Sequence, residues 1–135
     1  MEFSHFLSAY YPDTSYGGDR LYADMISQAR LVDRLGYRAV TIPEHHLINI
    51  LLVPDPLQFA VKVASVTSRV ELVTSVCVLP LHDMRVFAGR AIQADILCEG
   101  RLVRASDEVL SPTSSLAWAG PSRSRASAST SLSTC

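Results

Sequence analysis

The sequence predicts an α/β fold built on a parallel sheet, and three observations carry that prediction. Short β-branched apolar runs alternate with segments whose apolar residues recur every three or four positions, the β-α-β-α order of a parallel sheet with helices outside it. One run, residues 70–78, is almost continuously apolar, as expected of a strand buried on both faces. Titratable residues gather just past the ends of two strands, at Glu44-His45-His46 and at His82-Asp83, where parallel α/β folds carry their chemistry.

The elements follow from local chemistry. Residues 3–10 are aromatic-rich and apolar and read as a first strand running into a loop at Pro12-Asp13; residues 13–18 hold two glycines and no periodicity. Asp19 is the expected N-cap of a first helix with Tyr22, Met25, Ile26, Ala29, Val32 and Leu35 on one face. Gly36 stands where a left-handed residue closes a helix. Ala39-Val40-Thr41-Ile42 is the second strand, and Pro43, lacking an N–H, ends its ladder.

After an uncharged apolar stretch at 47–53, Asp55 as N-cap and Pro56 at the first helical position start a helix expected to run to about Ser68. The third strand spans 70–78. Asp83 caps a helix bearing Val86, Phe87, Ala91, Ala94 and Leu97, closed by Gly100, and Leu102-Val103 begins a fourth strand. Such an order predicts right-handed crossovers.

Composition narrows the function classes. A chain of 135 residues suits one domain and one core, and 48% hydrophobic with 19% charged residues is a globular balance. The net charge of −1 gives no footprint for nucleic acid or an anionic membrane. The N-terminal residues lack a basic signal-peptide region and no apolar run approaches the ~18 residues of a membrane span, so the expected location is cytoplasmic. Cys77, Cys98 and Cys135 fit neither a disulfide framework nor a CxxC metal pattern; the first two read as small apolar fillers and the third as an exposed thiol.

Glu44-His45-His46 could supply a general base, because imidazole titrates near neutral pH. On extended backbone the two rings point to opposite sides, so one of them faces a pocket, while the bland alternative is a histidine bonded to a neighbouring carbonyl. A zinc site from His45, His46, His82 and Asp83 has unspecific spacing, and Asp83 is more simply a helix cap. Gly17-Gly18 lacks phosphate-loop spacing.

Three stretches taken together, Pro43-Glu44-His45-His46, the run from Val73 through Leu79-Pro80-Leu81-His82-Asp83, and Asp95-Ile96-Leu97-Cys98-Glu99-Gly100-Arg101-Leu102, resemble the bacterial luciferase-like, flavin-dependent monooxygenases over about residues 3–103. The resemblance implies βα units from the N-terminal part of a (β/α)8 TIM barrel. It implies oxidation of an organic small molecule with reduced FMN and O2, or a deazaflavin in some branches, and a separate flavin reductase as partner. It places His45 at the position of the active-site histidine that assists the flavin's oxygen chemistry, with His46 supporting it. Ser75 and Val76 match the strand end where the family often has a cis non-proline peptide against the isoalloxazine ring, and Asp95 and Arg101 match an Asp and Gly-Arg pair read as structural.

The chain departs from the family pattern at Met84, where proline is usual, and after Leu102-Val103, where Arg104-Ala105-Ser106-Asp107-Glu108 replaces a glycine-rich stretch. A (β/α)8 barrel takes ~250 residues, so the expectation is an incomplete barrel: a luciferase-like fragment over 1–103 and a disordered Ser/Ala/Arg-rich tail over 104–135. Whether the chain alone is an enzyme is open, and the alternative is a non-catalytic truncated or docking subunit. An unclosed sheet whose inner face is rich in Val40, Ile42, Val76 and Val78 implies oligomerisation or aggregation in isolation. The abrupt loss of apolar alternation at Arg104 predicts a shifted reading frame. One of the other two frames downstream of codon 103 should then continue into a glycine-rich turn and further βα units; two unrelated translations would contradict it.

Overall fold

In the computed structural model the described residues are 1–47 and 51–106, with side chains described as far as Val103. Four strands, β1 (Ser4–Phe6), β2 (Ala39–Ile42), β3 (Glu71–Cys77) and β4 (Leu102–Ser106), form one sheet in the order β1-β2-β3-β4, every pair parallel. Parallel neighbours cannot be joined by a hairpin. Helices α1 (Gly18–Leu35), α2 (Pro56–Ala64) and α3 (Met84–Leu97) make the three returns. The strictly sequential order is that of a (β/α)8 barrel, whereas a doubly wound sheet reverses at a switch point.

The registers align His5, Val40, Leu72 and Leu102 in one row and Phe6, Thr41, Val73 and Val103 in the next. Successive rows face opposite sides. Val40, Ile42 and Leu72 lie on the helix side, fully buried with Leu7, Met25 and Val63 in the main core. The other side is open: Phe6 is 51% and Val103 43% exposed, with Thr41 and Val73 half-buried. Val40 and Ile42 were expected on this open face and are not there. Thr41, the polar residue of β2, sits on the other parity and marks the open side. A second, smaller cluster joins Leu57, Cys77, Phe87, Ala91 and Ala94 between α2, α3 and the end of β3. Cys98 is buried in the main cluster and Cys77 in the second.

Several boundaries differ from the sequence expectation. β1 is three residues long; Leu7 carries the ladder one step further through its N–H to Thr41 O (2.9 Å), and Tyr10 instead bridges Leu51 antiparallel. Thr14–Tyr16 forms a short 3₁₀ turn capped by Asp13. Helix α1 starts before Asp19: its N-cap is Gly17 at φ 86, and Asp19 sits in the first turn, where a carboxylate complements the helix dipole. Its buried stripe is Leu21, Met25, Ala29 and Val32, and Leu35 is largely exposed. Gly36, at φ 79, closes the helix with its N–H on Asp33 O and Val32 O, as expected.

Helix α2 begins as expected, with the Asp55 carboxylate accepting from Gln58 N. It ends at Ala64 rather than Ser68. There the Arg101 guanidinium donates to Ala64 O (2.9 Å) and Thr67 Oγ1 (3.0 Å), satisfying the terminal carbonyl from outside the helix. Asp83 caps α3, accepting from Arg85 N; that helix ends at Leu97, and Gly100 follows at φ 73. β4 continues to Ser106; the remainder of the expected tail, and residues 48–50 of the apolar stretch, lie outside the described residues.

At the N-terminal end of the sheet one buried carboxylate organises the turn into β3. Asp33 accepts from Ser68 N (3.1 Å), Ser68 Oγ (3.2 Å), Arg69 N (2.9 Å) and Val70 N (3.0 Å). Burial alone would raise its pKa, but the bonds from Ser68, Val70 and Arg69 outweigh that and hold the carboxyl below its ordinary range. Its contribution is therefore present above the ordinary carboxylate value and is lost as pH falls through the lowered one. Asp33→Ala orphans three backbone N–H groups and is expected to lower stability by about 3 kcal/mol, measured by urea unfolding near neutral pH. A change below about 0.5 kcal/mol, the range of ordinary surface substitutions, would contradict this account.

Candidate active site at the strand ends

Both titratable clusters emerge at the C-terminal end of the sheet and converge on one residue. β2 stops at Ile42, Pro43 is buried, and the chain then carries Glu44 inward; its side chain is fully buried. Oε1 of Glu44 accepts from His46 Nε2 at 2.6 Å and from His82 Nε2 at 3.0 Å, while Oε2 accepts from Val78 N at 3.0 Å. A carboxylate only accepts hydrogen bonds, and three donors from two chain segments meet it here.

Each segment brings its donor for a local reason. Glu44 and His46 are two residues apart on the same loop beyond β2, and their side chains meet at 2.6 Å. β3 carries a cis peptide between Ser75 and Val76, and its register with β4 shifts between Thr74 and Cys77. Beyond it, the 3₁₀ turn Leu79–Leu81 delivers His82, whose N–H is bonded to Leu79 O and whose ring packs at 5.0 Å from that of Phe87.

Burial would raise the Glu44 pKa, yet the bonds from His46, the Val78 amide and His82 prevail and hold it below its ordinary 4.5. Glu44 is thus an anion at neutral pH, inside a protein wall, with imidazoles on one of its oxygens.

Of the residues singled out in the sequence, the structure joins His46 to this network. His45 lies outside it. Its N–H donates to Val53 O (2.9 Å), and its half-buried ring makes no hydrogen bond to a described residue. Ser75 is exposed and Val76 half-buried at the adjoining strand end. The four residues weighed as zinc ligands do not converge: Asp83 is held by Arg85, and among the described residues no three His, Cys, Asp or Glu side chains are placed to hold a metal ion. Glu44 as the centre of the network, and His82 as its second imidazole, were missed. The Glu44/His46 spacing was a legible signal for the first; the second depended on how β2 and β3 pair.

Volume does not mark this site. A cleft of about 470 Å³ opens at the opposite end of the sheet, lined by Phe3, Tyr37, Arg38 and Glu71 among others. There Arg38 is already paired with Glu2 and Glu71, whereas the strand-end cluster has the chemistry.

A family model described as luciferase-like monooxygenase matches residues 1–104. The chain belongs to that family. Among its relatives are the uncharacterized protein y4vJ of Sinorhizobium fredii, 33% identical over 102 residues, which are 76% of this chain and 29% of that protein. The oxygenase component of the flavin-dependent trigonelline monooxygenase of Acinetobacter baylyi is 32% identical over 102 residues, 76% of this chain and 28% of that one. Among solved structures, monooxygenase RslO1 of Streptomyces bottropensis superposes with a TM-score of 0.75 at 26% identity, covering 83% of this chain and 34% of that chain. The oxygenating constituent of 3,6-diketocamphane monooxygenase from Pseudomonas putida, determined in complex with FMN, gives a TM-score of 0.74 over 83% of this chain and 30% of that chain; at 19% identity this speaks for the fold alone. The luciferase-like chain described here therefore spans about a quarter to a third of the length of these relatives, and its βα units are part of a (β/α)8 barrel.

The Glu44 network yields a pH prediction. The contribution of Glu44 to stability is present above pH 4.5 and is lost as pH falls through its lowered folded value. His82→Ala removes one donor and moves that folded value upward. Acid unfolding, followed by circular dichroism, should therefore begin at a higher pH in the variant, with a loss of about 1–3 kcal/mol at neutral pH. An unchanged acid limb would show that His82 does not support the carboxylate.

Proposed function

We propose that this chain bears the histidine-carrying strand ends of a flavin-dependent monooxygenase that oxidises an organic small molecule with reduced FMN and O2, the reduced flavin coming from a separate reductase. The observation that supports it most is the Glu44–His46–His82 cluster beside the Ser75–Val76 strand end, within the segment that matches the family.

The residues present fit the ring portion of a flavin. An exposed hydroxyl at Ser75 and a half-buried Val76 border an inner face carrying Phe6, Val73 and Val103, a partly apolar surface with a polar edge that suits a planar heteroaromatic ring. For a phosphate the fit is poorer: among the described residues Arg85, which follows the His82-Asp83 pair, is engaged by Asp83. FMN, or a deazaflavin, would supply the oxygen-activating chemistry when bound, and the protein supplies orientation and exclusion of water. Ser75 and Val76 would border the ring. His45, whose imidazole makes no hydrogen bond to a described residue, is the group able to take or give a proton, and His46, bonded to Glu44, supports it through the loop they share.

A second reading, a non-catalytic subunit that docks on a full-length homologue, draws on the exposed inner row of Phe6 and Val103. The two separate by experiment. His45→Ala in a full-length relative carrying this segment should lower turnover about 10²–10⁴-fold, the usual range for general acid–base catalysis, with flavin affinity little changed; equal turnover would overturn the assignment. The 135-residue chain alone should bind FMN weakly in a fluorescence titration. If mixing it with the full-length relative alters that enzyme's activity, the docking reading gains instead.

A further inference from the structure

We propose that Glu44 is a positioning residue for His45: its buried carboxylate holds the backbone on both sides of that ring and fixes His46 and His82 as Nε2–H tautomers. What His45 then does rests on the function proposed above, but the positioning itself does not.

Three consecutive residues are restrained by different partners. Glu44 is tied to the residue after β3 through the Val78 amide and to the segment leading into α3 through His82. His46 is tied back to Glu44, and the His45 N–H is tied to Val53 O. The backbone on either side of His45 is thus anchored, and its own amide is anchored across the loop. The His45 ring is absent from the hydrogen bonds that Glu44 and His46 make with each other and with His82. The one ring outside the network is therefore the one the network aims.

Chemical type matters as much as shape. Oε1 of Glu44 is shared by two imidazole nitrogens, and an oxygen without a hydrogen can accept from both only if each Nε2 carries its proton. Glutamine at 44 has a single oxygen and turns an N–H₂ donor toward either the Val78 N–H or the two imidazoles. At most part of the set then survives: either the Val78 N–H loses its acceptor and faces another donor, or at least one ring must change tautomer or move.

The test uses the ¹⁵N-labelled 135-residue chain and long-range ¹H–¹⁵N spectra of its histidines near neutral pH. In the wild-type chain, Nε2 of His46 and of His82 should both carry a proton, and the three-bond couplings of His45 should report one χ1 rotamer. In Glu44→Gln either the Val78 amide resonance should lose its hydrogen-bonded shift or the Nε2–H signal of at least one of the two rings should be lost, and the His45 couplings should average, with the circular dichroism of the folded chain retained. A residue that merely stabilised the fold would lower the melting temperature without moving either signature. In His45→Ala both Nε2–H signals should persist, because the network does not depend on the ring it aims.

An unprotonated Nε2 at His46 or His82 in the wild-type chain overturns the proposal without any variant having to fold. So does an averaged His45, or loss of the network in His45→Ala. None of these readouts involves flavin. If they hold while His45→Ala in a full-length relative turns over normally, positioning stands and the functional reading falls.

Discussion

A parallel sheet imposes a constraint that shapes everything else here: each strand must be re-entered from the same end, so loops accumulate at both ends, and their backbone groups must find partners away from any ladder. Two buried carboxylates answer that need. Asp33 collects the N–H groups of the turn entering β3, and Glu44 takes an amide and two imidazoles where β2 and β3 leave. Both are held ionised against the cost of burial by the number of donors they receive. The difference lies in what they gather. Asp33 receives backbone amides and a hydroxyl, whereas two of the three donors on Glu44 are rings that can carry protons.

This division follows the logic of the β/α barrel, in which one end of the sheet serves stability and the other carries chemistry. The helix-side core is filled to exclusion by Val40, Ile42, Leu72 and their partners, giving the strand ends a rigid base. On that base, the loop from Pro43 to His46 and the segment from Ser75 to His82 are joined at Glu44. Family membership gives this cluster its context, and the geometry gives it an internal logic.

Much of the fold was legible because local chemistry and tertiary packing agree. The Asp55-Pro56 start, the Asp83 cap, the Gly36 stop and the bounds of β2 rest on one- or two-residue rules, and each is where the sequence places it. Some errors arise where a distant partner decides. Helix α2 ends at Ala64, and the carbonyl of that residue accepts from Arg101, 37 positions away in sequence. Val40 and Ile42 were assigned to the wrong face although Thr41, the polar residue of β2, sits on the other parity and marks the open side. At the site, the paired histidines announced themselves, but the role of Glu44 depends on His82 and Val78 arriving from another strand, and no local rule brings them together.

The two buried cysteines give this architecture an internal readout. Cys98 sits in the main core under α1 and α2, with burial pushing its thiol pKa up; Cys77 sits in the smaller cluster at the end of β3. Only a thiolate reacts, and neither sulfur meets a reagent while its cluster is closed. Alkylation of the two positions therefore proceeds through separate opening events, one of the helix-backed core and one of the strand end beside Glu44. Their relative rates measure whether the strand end that carries Glu44 breathes independently of the body that carries it.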